Sequence, residues 1–167
     1  MRASKIHGSS FGWTATSDSA GTTVTLCDPQ GRTRAVWTHS PRSSAKDLQL
    51  VRLSSNGRHR VRLLDGSAPA GEADIDNGRP RPARRRDHDG WIEVHGRRYG
   101  TRHARRWRST LLLDDRVVAV GRKGWFGRSA LERSRPLDAI DELALALFWF
   151  AVTPGRPGKI WMIVESV

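Results

Sequence analysis

The stretch Leu137–Val152, LDAIDELALALFWFAV, constrains the fold most, because it is the only long apolar segment in the chain. Pro136 precedes it, carboxylates stand in its first turns and Pro154 follows it, a pattern typical of helix ends. From Leu143 onward the segment has no polar face. A helix that is apolar on every side is buried in protein or in lipid.

We predict that this helix is buried in protein, with a membrane-inserted helix and a surface helix docked on a partner as the alternatives. Its strictly apolar part is ten residues long, whereas a membrane span needs about 20. Phe148, Trp149 and Phe150 point in directions about 100° apart, because successive helical residues are rotated by that angle. A helix lying on a surface could bury only some of them, so we expect all three in a core.

The rest of the chain predicts short strands separated by turns, as in Asp28-Pro29-Gln30-Gly31, Asn56-Gly57 and Asp114-Asp115. Alternation places the arginines of 58–64 on one outward face, and the apolar stretch 159–165 predicts a central last strand. The spacing indicates about twelve antiparallel strands. We therefore predict a mainly β domain with one helix (α+β), a barrel over 1–167 that closes around helix 137–152.

Residues 66–90 interrupt this pattern with a high density of glycine, proline and arginine. The composition predicts a mobile loop within the domain, with at most a short strand around Ala73 to Ile75. Neither side of the segment has a complete core, so it does not divide the chain into two domains.

The composition and motifs disfavour several classes of chemistry. The single cysteine, Cys27, excludes an internal disulfide and a cysteine-based metal cluster. No nucleophile-elbow, P-loop or dinucleotide-binding motif is present. We interpret Asp87-His88-Asp89 as a solvated loop triad and Glu93 with His95 as a surface pair, so we predict no catalytic residue, metal or cofactor. Residues 1–10 lack an apolar signal-peptide core, so we expect a cytoplasmic location.

The net charge of +12, with 25 arginines and 4 lysines, is compatible with nucleic acid, an anionic membrane surface or an acidic partner. An even spread of arginines through codon bias is the alternative interpretation. Arginine binds phosphate with two parallel hydrogen bonds, and two clusters stand out in the sequence. The candidate anion-binding residues are Arg84, Arg85, Arg86, Arg97, Arg98, Arg102, Arg105, Arg106 and Arg108.

Over residues 91–167 the chain resembles the tubby C-terminal-like group, which includes phospholipid scramblases and LURP-one-related proteins. The resemblance lies in RSTLLLDDRVVAVGRKG, the apolar helix and KIWMIVESV. It implies a twelve-stranded barrel with a hydrophobic helix through its centre. Tubby itself uses a basic pocket for phosphoinositide head groups, and we carry no residue of that pocket over to this chain.

These observations predict a non-enzymatic binding module that docks on anionic phospholipid surfaces through its arginine clusters. A nucleic-acid-binding protein is the first alternative, because the same charges suit a phosphate backbone. An enzyme on a β-barrel scaffold with an unrecognised site is the second alternative.

Overall fold

A computed structural model of the protein describes most of the strand-forming sequence and the helix. The described residues are 4–6, 12–18, 20, 22–38, 53, 57–79, 84–105, 108–123 and 129–152.

Within the described residues, eleven antiparallel strands form one sheet in which every strand pairs with its neighbours in the chain. The strands are β1 Ser4–Ile6, β2 Thr14–Ser17, β3 Thr23–Cys27, β4 Thr33–Thr38, β5 Arg58–Asp65, β6 Ala68–Asp76, β7 Gly90–Val94, β8 Arg97–Arg105, β9 Arg108–Leu113, β10 Arg116–Lys123 and β11 Ser129–Arg133. A 3₁₀ turn, Arg85–His88, lies between β6 and β7. The helix α1 spans Ala139–Leu147 and continues as a π-helical turn over Phe148–Val152.

Alternation of side chains explains which face of the sheet is inside. On β5, Val61 and Leu63 are buried, whereas Arg58, Arg60 and Arg62 are exposed. Strand side chains point alternately to the two faces of a sheet, so the apolar residues turn toward the core. The predicted outward arginine face is confirmed.

The apolar part of the helix is almost completely buried against the sheet. From Leu143 to Val152 every residue except Trp149 is buried, and the same core holds side chains from β2 through β10. The sheet must therefore curve around the helix, because a flat sheet covers only one side. A buried C-terminal hydrophobic helix is confirmed, and it begins at Ala139 because the Asp138 side chain accepts hydrogen bonds from Ile140 and Asp141 N–H groups.

Two details of the predicted barrel differ from the structure. The described strands number eleven, not twelve, and they do not close into a barrel. Within the described residues β1 pairs with β2 alone and β11 with β10 alone, whereas closure requires every edge strand to have a second partner. The predicted last strand, 159–165, lies outside the described residues.

The predicted loop 66–90 is wrong over Ala68–Asp76, which forms β6. Ala73 and Ile75 are fully buried there, and β6 pairs with both β5 and β7. Pro69 and Gly71, which indicated a loop, lie at an irregularity of the β5–β6 ladder. The register shifts there, so that Gly71 is opposite Leu63 and Pro69 is opposite Leu64. Proline is tolerated in strands at such irregularities.

Trp149 also differs from the prediction. Phe148 and Phe150 are buried, but Trp149 is only partly buried at the edge of the core. The helix therefore has one side near the surface at its C-terminal end. No helix in the described part of the chain has the length and apolarity needed to cross a membrane.

Truncation of the helix core should strongly destabilise the protein. We expect Phe148→Ala to cost about 3–5 kcal/mol of unfolding free energy, because it leaves a cavity in a filled core. Leu145→Lys should cost at least as much, because it buries an ion without a partner.

Urea unfolding of the purified variants measures both effects. The control is Val117→Ala, whose side chain is 40% exposed and which should stay within about 0.5 kcal/mol of the parent. A similar small loss for Phe148→Ala or Leu145→Lys would contradict a helix at the centre of the core.

Candidate anion-binding site

The 3₁₀ turn between β6 and β7 is closed by its own polar groups. The Arg84 N–H donates to Asp87 Oδ2 at 2.8 Å, and the Arg79 N–H donates to the Asp87 carbonyl oxygen at 2.7 Å. Asp87 and His88 are buried. These contacts hold the turn against the body of the sheet and point Arg84 and Arg86 outward, where both are exposed.

Gly78 allows the turn to lie against the backbone. Its φ is +102°, in the region that favours glycine. A Cβ there would lie 2.5 Å from the His88 Cα and still closer to the Asp87 carbonyl oxygen. A side chain would therefore push the turn away from β6.

Three arginines from two separate segments line one open concavity of about 520 Å³. Arg84 and Arg86 come from the 3₁₀ turn, and Arg102 comes from the outer face of β8. We call this site the arginine concavity. Its lining residues are Arg84, Arg86, Asp89, Arg102, His103 and Ala104.

The floor of the arginine concavity ties the turn to β8. Asp89 Oδ1 accepts a hydrogen bond of 2.6 Å from the backbone N–H of His103. The ring of His103 is buried, and its Nδ1 is 2.6 Å from Ser109 Oγ. Burial raises the pKa of Asp89 above its ordinary value, although the bond from His103 and the charge of Arg102 oppose this shift.

The electrostatic balance of the arginine concavity is positive, since three guanidinium groups face one carboxylate. Arg102 also forms an ion pair of 2.9 Å with Asp115, but both side chains are well exposed, at 60% and 88%. Exposed pairs contribute about 0–1 kcal/mol. An incoming anion can therefore replace Asp115 as the partner of Arg102 at little cost.

Arg97 lies away from the arginine concavity and contacts the start of the helix. It points inward from β8 and binds the carboxylates of Asp138 and Asp141 at the start of α1. The bond to Asp138 raises the pKa of Arg97, and bonds from the Asp141 N–H and from Arg97 lower that of Asp138. Arg97 thus anchors the helix and does not belong to the arginine concavity.

Arg98 lies on the outer face of β8, apart from the arginine concavity. Its guanidinium carbon is 4.0 Å from the centroid of the Trp91 ring, and Arg58 lies 5.6 Å from the same ring. This geometry is a cation–π contact.

The structure describes the remaining predicted residues only in part. Arg108 is exposed at the start of β9. Arg85 and Arg105 are described for the backbone alone, with Arg105 paired opposite Arg108. Arg106 lies outside the described residues. The structure thus brings Arg84, Arg86 and Arg102 together and does not place Arg97 or Arg98 with them.

A row of carboxylates neutralises the arginines of β5. The outer face of β6 carries Glu72, Asp74 and Asp76, which we call the acidic row. Register places Arg58 opposite Asp76, Arg60 opposite Asp74 and Arg62 opposite Glu72. Opposite charges in such cross-strand pairs attract each other, so the predicted arginine face is a charge ladder and not a free basic patch.

The sequence interpretation missed Asp89 and His103 as parts of the site. Asp87-His88-Asp89 was expected to be solvated, which is wrong for Asp87 and His88 because the 3₁₀ turn buries them. The inward alternation of Tyr99, Thr101 and His103 along β8 was a signal for the position of His103. Glu93 lies on β7, but His95 stands in the following turn with φ +47°, so the two do not share a strand face.

Comparison with protein-family models, curated proteins and solved structures finds no match to this chain. The relationship to the tubby C-terminal-like group stays a prediction. Among the described residues, no group of three or more His, Cys, Asp or Glu side chains is placed to hold a metal ion.

Substitution of Gly78 should damage the site more than an equivalent change elsewhere. Gly78→Ala meets both the backbone strain of a positive φ, about 1–3 kcal/mol, and a collision with the turn. Gly71→Ala is a matched control, because Gly71 has φ +109° and nothing within 4 Å of its Cβ position.

We expect Gly78→Ala to lose more unfolding free energy in urea than Gly71→Ala. It should also speed hydrogen exchange of the Arg79 amide, whose acceptor is in the turn. Equal losses and unchanged exchange would show that the turn does not depend on the space left by Gly78.

Proposed function

We propose that the protein is a non-enzymatic binding module that docks on anionic phospholipid surfaces, with a headgroup phosphate in the arginine concavity. The observation that carries this proposal is the convergence of Arg84, Arg86 and Arg102 on one open concavity. Guanidinium groups suit phosphate because their planar donors bind two oxygens at once. The volume of about 520 Å³ is within the range of small-ligand sites.

The surface chemistry indicates shallow docking. In the described part of the chain, Val117 is the large apolar residue that is clearly exposed. Docking of this kind depends on charge and not on deep insertion, so it should weaken as salt screens the arginines.

The structure favours lipid over nucleic acid on two grounds. The helix is buried and so cannot enter a groove. Readers of single strands stack successive bases on several aromatic side chains, whereas the described lining of the arginine concavity includes no Phe, Tyr or Trp.

The Ser109–His103 pair has the spacing of a nucleophile and its base, but its environment disfavours that role. Ser109 is fully buried, so a substrate could not reach its hydroxyl without a rearrangement of β9. We interpret the pair as a structural contact that orients His103 under the arginine concavity.

Loss of one arginine of the concavity should weaken vesicle binding. We expect Arg102→Ala or Arg86→Ala to lower partition onto phosphatidylglycerol vesicles about fivefold, since one basic residue near a charged surface contributes about 1 kcal/mol. Sedimentation with phosphatidylglycerol vesicles, neutral phosphatidylcholine vesicles and heparin measures the effect.

Arg62→Ala is the matched control, because it removes the same charge from an exposed strand position beside the acidic row. It should bind nearly as the parent does. If Arg62→Ala and Arg102→Ala lost affinity equally for vesicles and heparin, binding would follow total charge and the proposed site would be wrong.

Removal of the opposing carboxylate should strengthen binding. In Asp89→Asn the amide oxygen can still accept the hydrogen bond from His103, while one negative charge leaves the arginine concavity. We expect about fivefold tighter binding to phosphatidylglycerol vesicles at neutral pH.

The pH dependence gives a second readout of Asp89. Burial raises the pKa of Asp89 in the folded state, so ionisation of this carboxyl lowers the stability of the fold. Protonation restores that stability as the pH falls through the raised pKa. Vesicle binding by the parent should therefore strengthen as the pH falls through that pKa, and Asp89→Asn should lack this pH dependence. At neutral pH, Asp89→Asn should be no less stable than the parent. Weaker binding by Asp89→Asn would contradict an anion in this concavity.

A further inference from the structure

Trp91 and Arg98 form an ordered basic and aromatic pair beside the arginine concavity. Register places Trp91 of β7 opposite Gly100 of β8, so its diagonal neighbours on that face are Arg98 and Arg102. Trp91 is partly exposed, and the Arg98 guanidinium lies 4.0 Å from its ring centroid. Stacking holds the planar guanidinium in place, so less entropy is lost when it binds an anion.

Arg98 and Arg102 are too far apart to bind the same phosphate group. Arg98 and Arg102 are four residues apart on one face of β8, which is about 13 Å at the rise of a strand. A single phosphate group is too small to bind both. Only a surface with repeated phosphates can occupy Arg98 and the arginine concavity at the same time.

We propose that Arg98, held against Trp91, binds a second lipid headgroup, so that the protein docks on an anionic bilayer through two contacts. This inference rests on the proposed function and specifies how the protein is oriented on the bilayer. The Trp91 indole lies at the level of the headgroups, where tryptophan is favoured because one end of the ring is apolar and the other polar. Register places the exposed Glu93 of β7 opposite Arg98. Within the described residues, however, no carboxylate oxygen lies within 4 Å of the guanidinium of Arg84, Arg86 or Arg98.

The acidic row limits the docking surface on one side. Asp76 lies opposite Trp91 and Asp74 lies opposite Glu93 in the ladder of β6 and β7. Carboxylates repel an anionic bilayer, so contact extends from Trp91 toward β8 and the 3₁₀ turn and not toward β5. The two contacts and this boundary together define one orientation on the membrane.

The test compares a surface with a soluble anion. We expect Arg98→Ala to lower partition onto phosphatidylglycerol vesicles about fivefold and to leave the affinity for inorganic phosphate, followed by amide NMR shifts of the 3₁₀ turn, unchanged. Arg102→Ala should lower both affinities. The double variant should lose about 25-fold on vesicles, because independent contacts multiply.

Trp91 supplies an optical readout of the same contact. The parent should show a blue shift of tryptophan emission on phosphatidylglycerol vesicles that inorganic phosphate does not cause. Trp91→Phe should lose that shift and bind vesicles more weakly than the parent, while urea unfolding checks that it is folded. Arg62→Ala is again the matched control and should retain both the shift and the affinity.

Each failure has a distinct meaning. If Arg98→Ala binds vesicles as the parent does while Arg102→Ala is weakened, the second contact is wrong and the arginine concavity stands. If neither variant is weakened, the proposed function fails as well. If single-stranded DNA binds with the same dependence on Arg98 and Trp91 and vesicles do not bind, the surface reads nucleic acid and the lipid assignment is overturned.

Discussion

The requirement to cover an entirely apolar helix is the constraint on which the rest of the structure depends. Residues 143–152 offer almost nothing to water, and the strands from β2 to β10 supply the side chains that cover them. Each large apolar side chain contributes about 1.5–3 kcal/mol when it is fully buried. The sheet curves because no single flat layer can cover every side of a helix. The outward faces of β5 and β6 are thereby left mainly to polar and charged residues.

One buried carboxylate fixes the start of that helix. Asp141 is fully buried and accepts a hydrogen bond of 2.7 Å from the Tyr99 hydroxyl, with Arg135 at 2.8 Å and Arg97 at 3.4 Å. Burial and the bond to Asp141 raise the pKa of Tyr99, so the phenol stays a donor. A buried charge is tolerated only with such partners. Strand β8 therefore anchors the helix with its inner face and carries Arg98 and Arg102 on its outer face.

The arginines of this chain serve three physical roles that composition alone does not separate. Arg97 and Arg135 stabilise a buried carboxylate, Arg58 and Arg60 pair with the acidic row, and Arg84, Arg86 and Arg102 line a concavity. The net charge of +12 thus overstates the charge offered to a partner. What matters for binding is the subset that is exposed, clustered and either unpaired or, like Arg102, held only by an exposed ion pair.

The sequence by itself determined the buried helix, the antiparallel strands and the outward arginines of β5, because apolar pattern and alternation are local properties of the chain. Only the tertiary structure decided that β6 is a strand, since its glycine and proline are accommodated at an irregularity of the ladder with β5, while Ala73 to Asp76 also pair with β7. The same holds for the site. Arg97 and Arg98 are adjacent in sequence but point to opposite faces of β8, and Arg84 and Arg102 meet because Gly78 lets the 3₁₀ turn lie against the sheet. Such proximity comes from long-range packing, which no local pattern encodes.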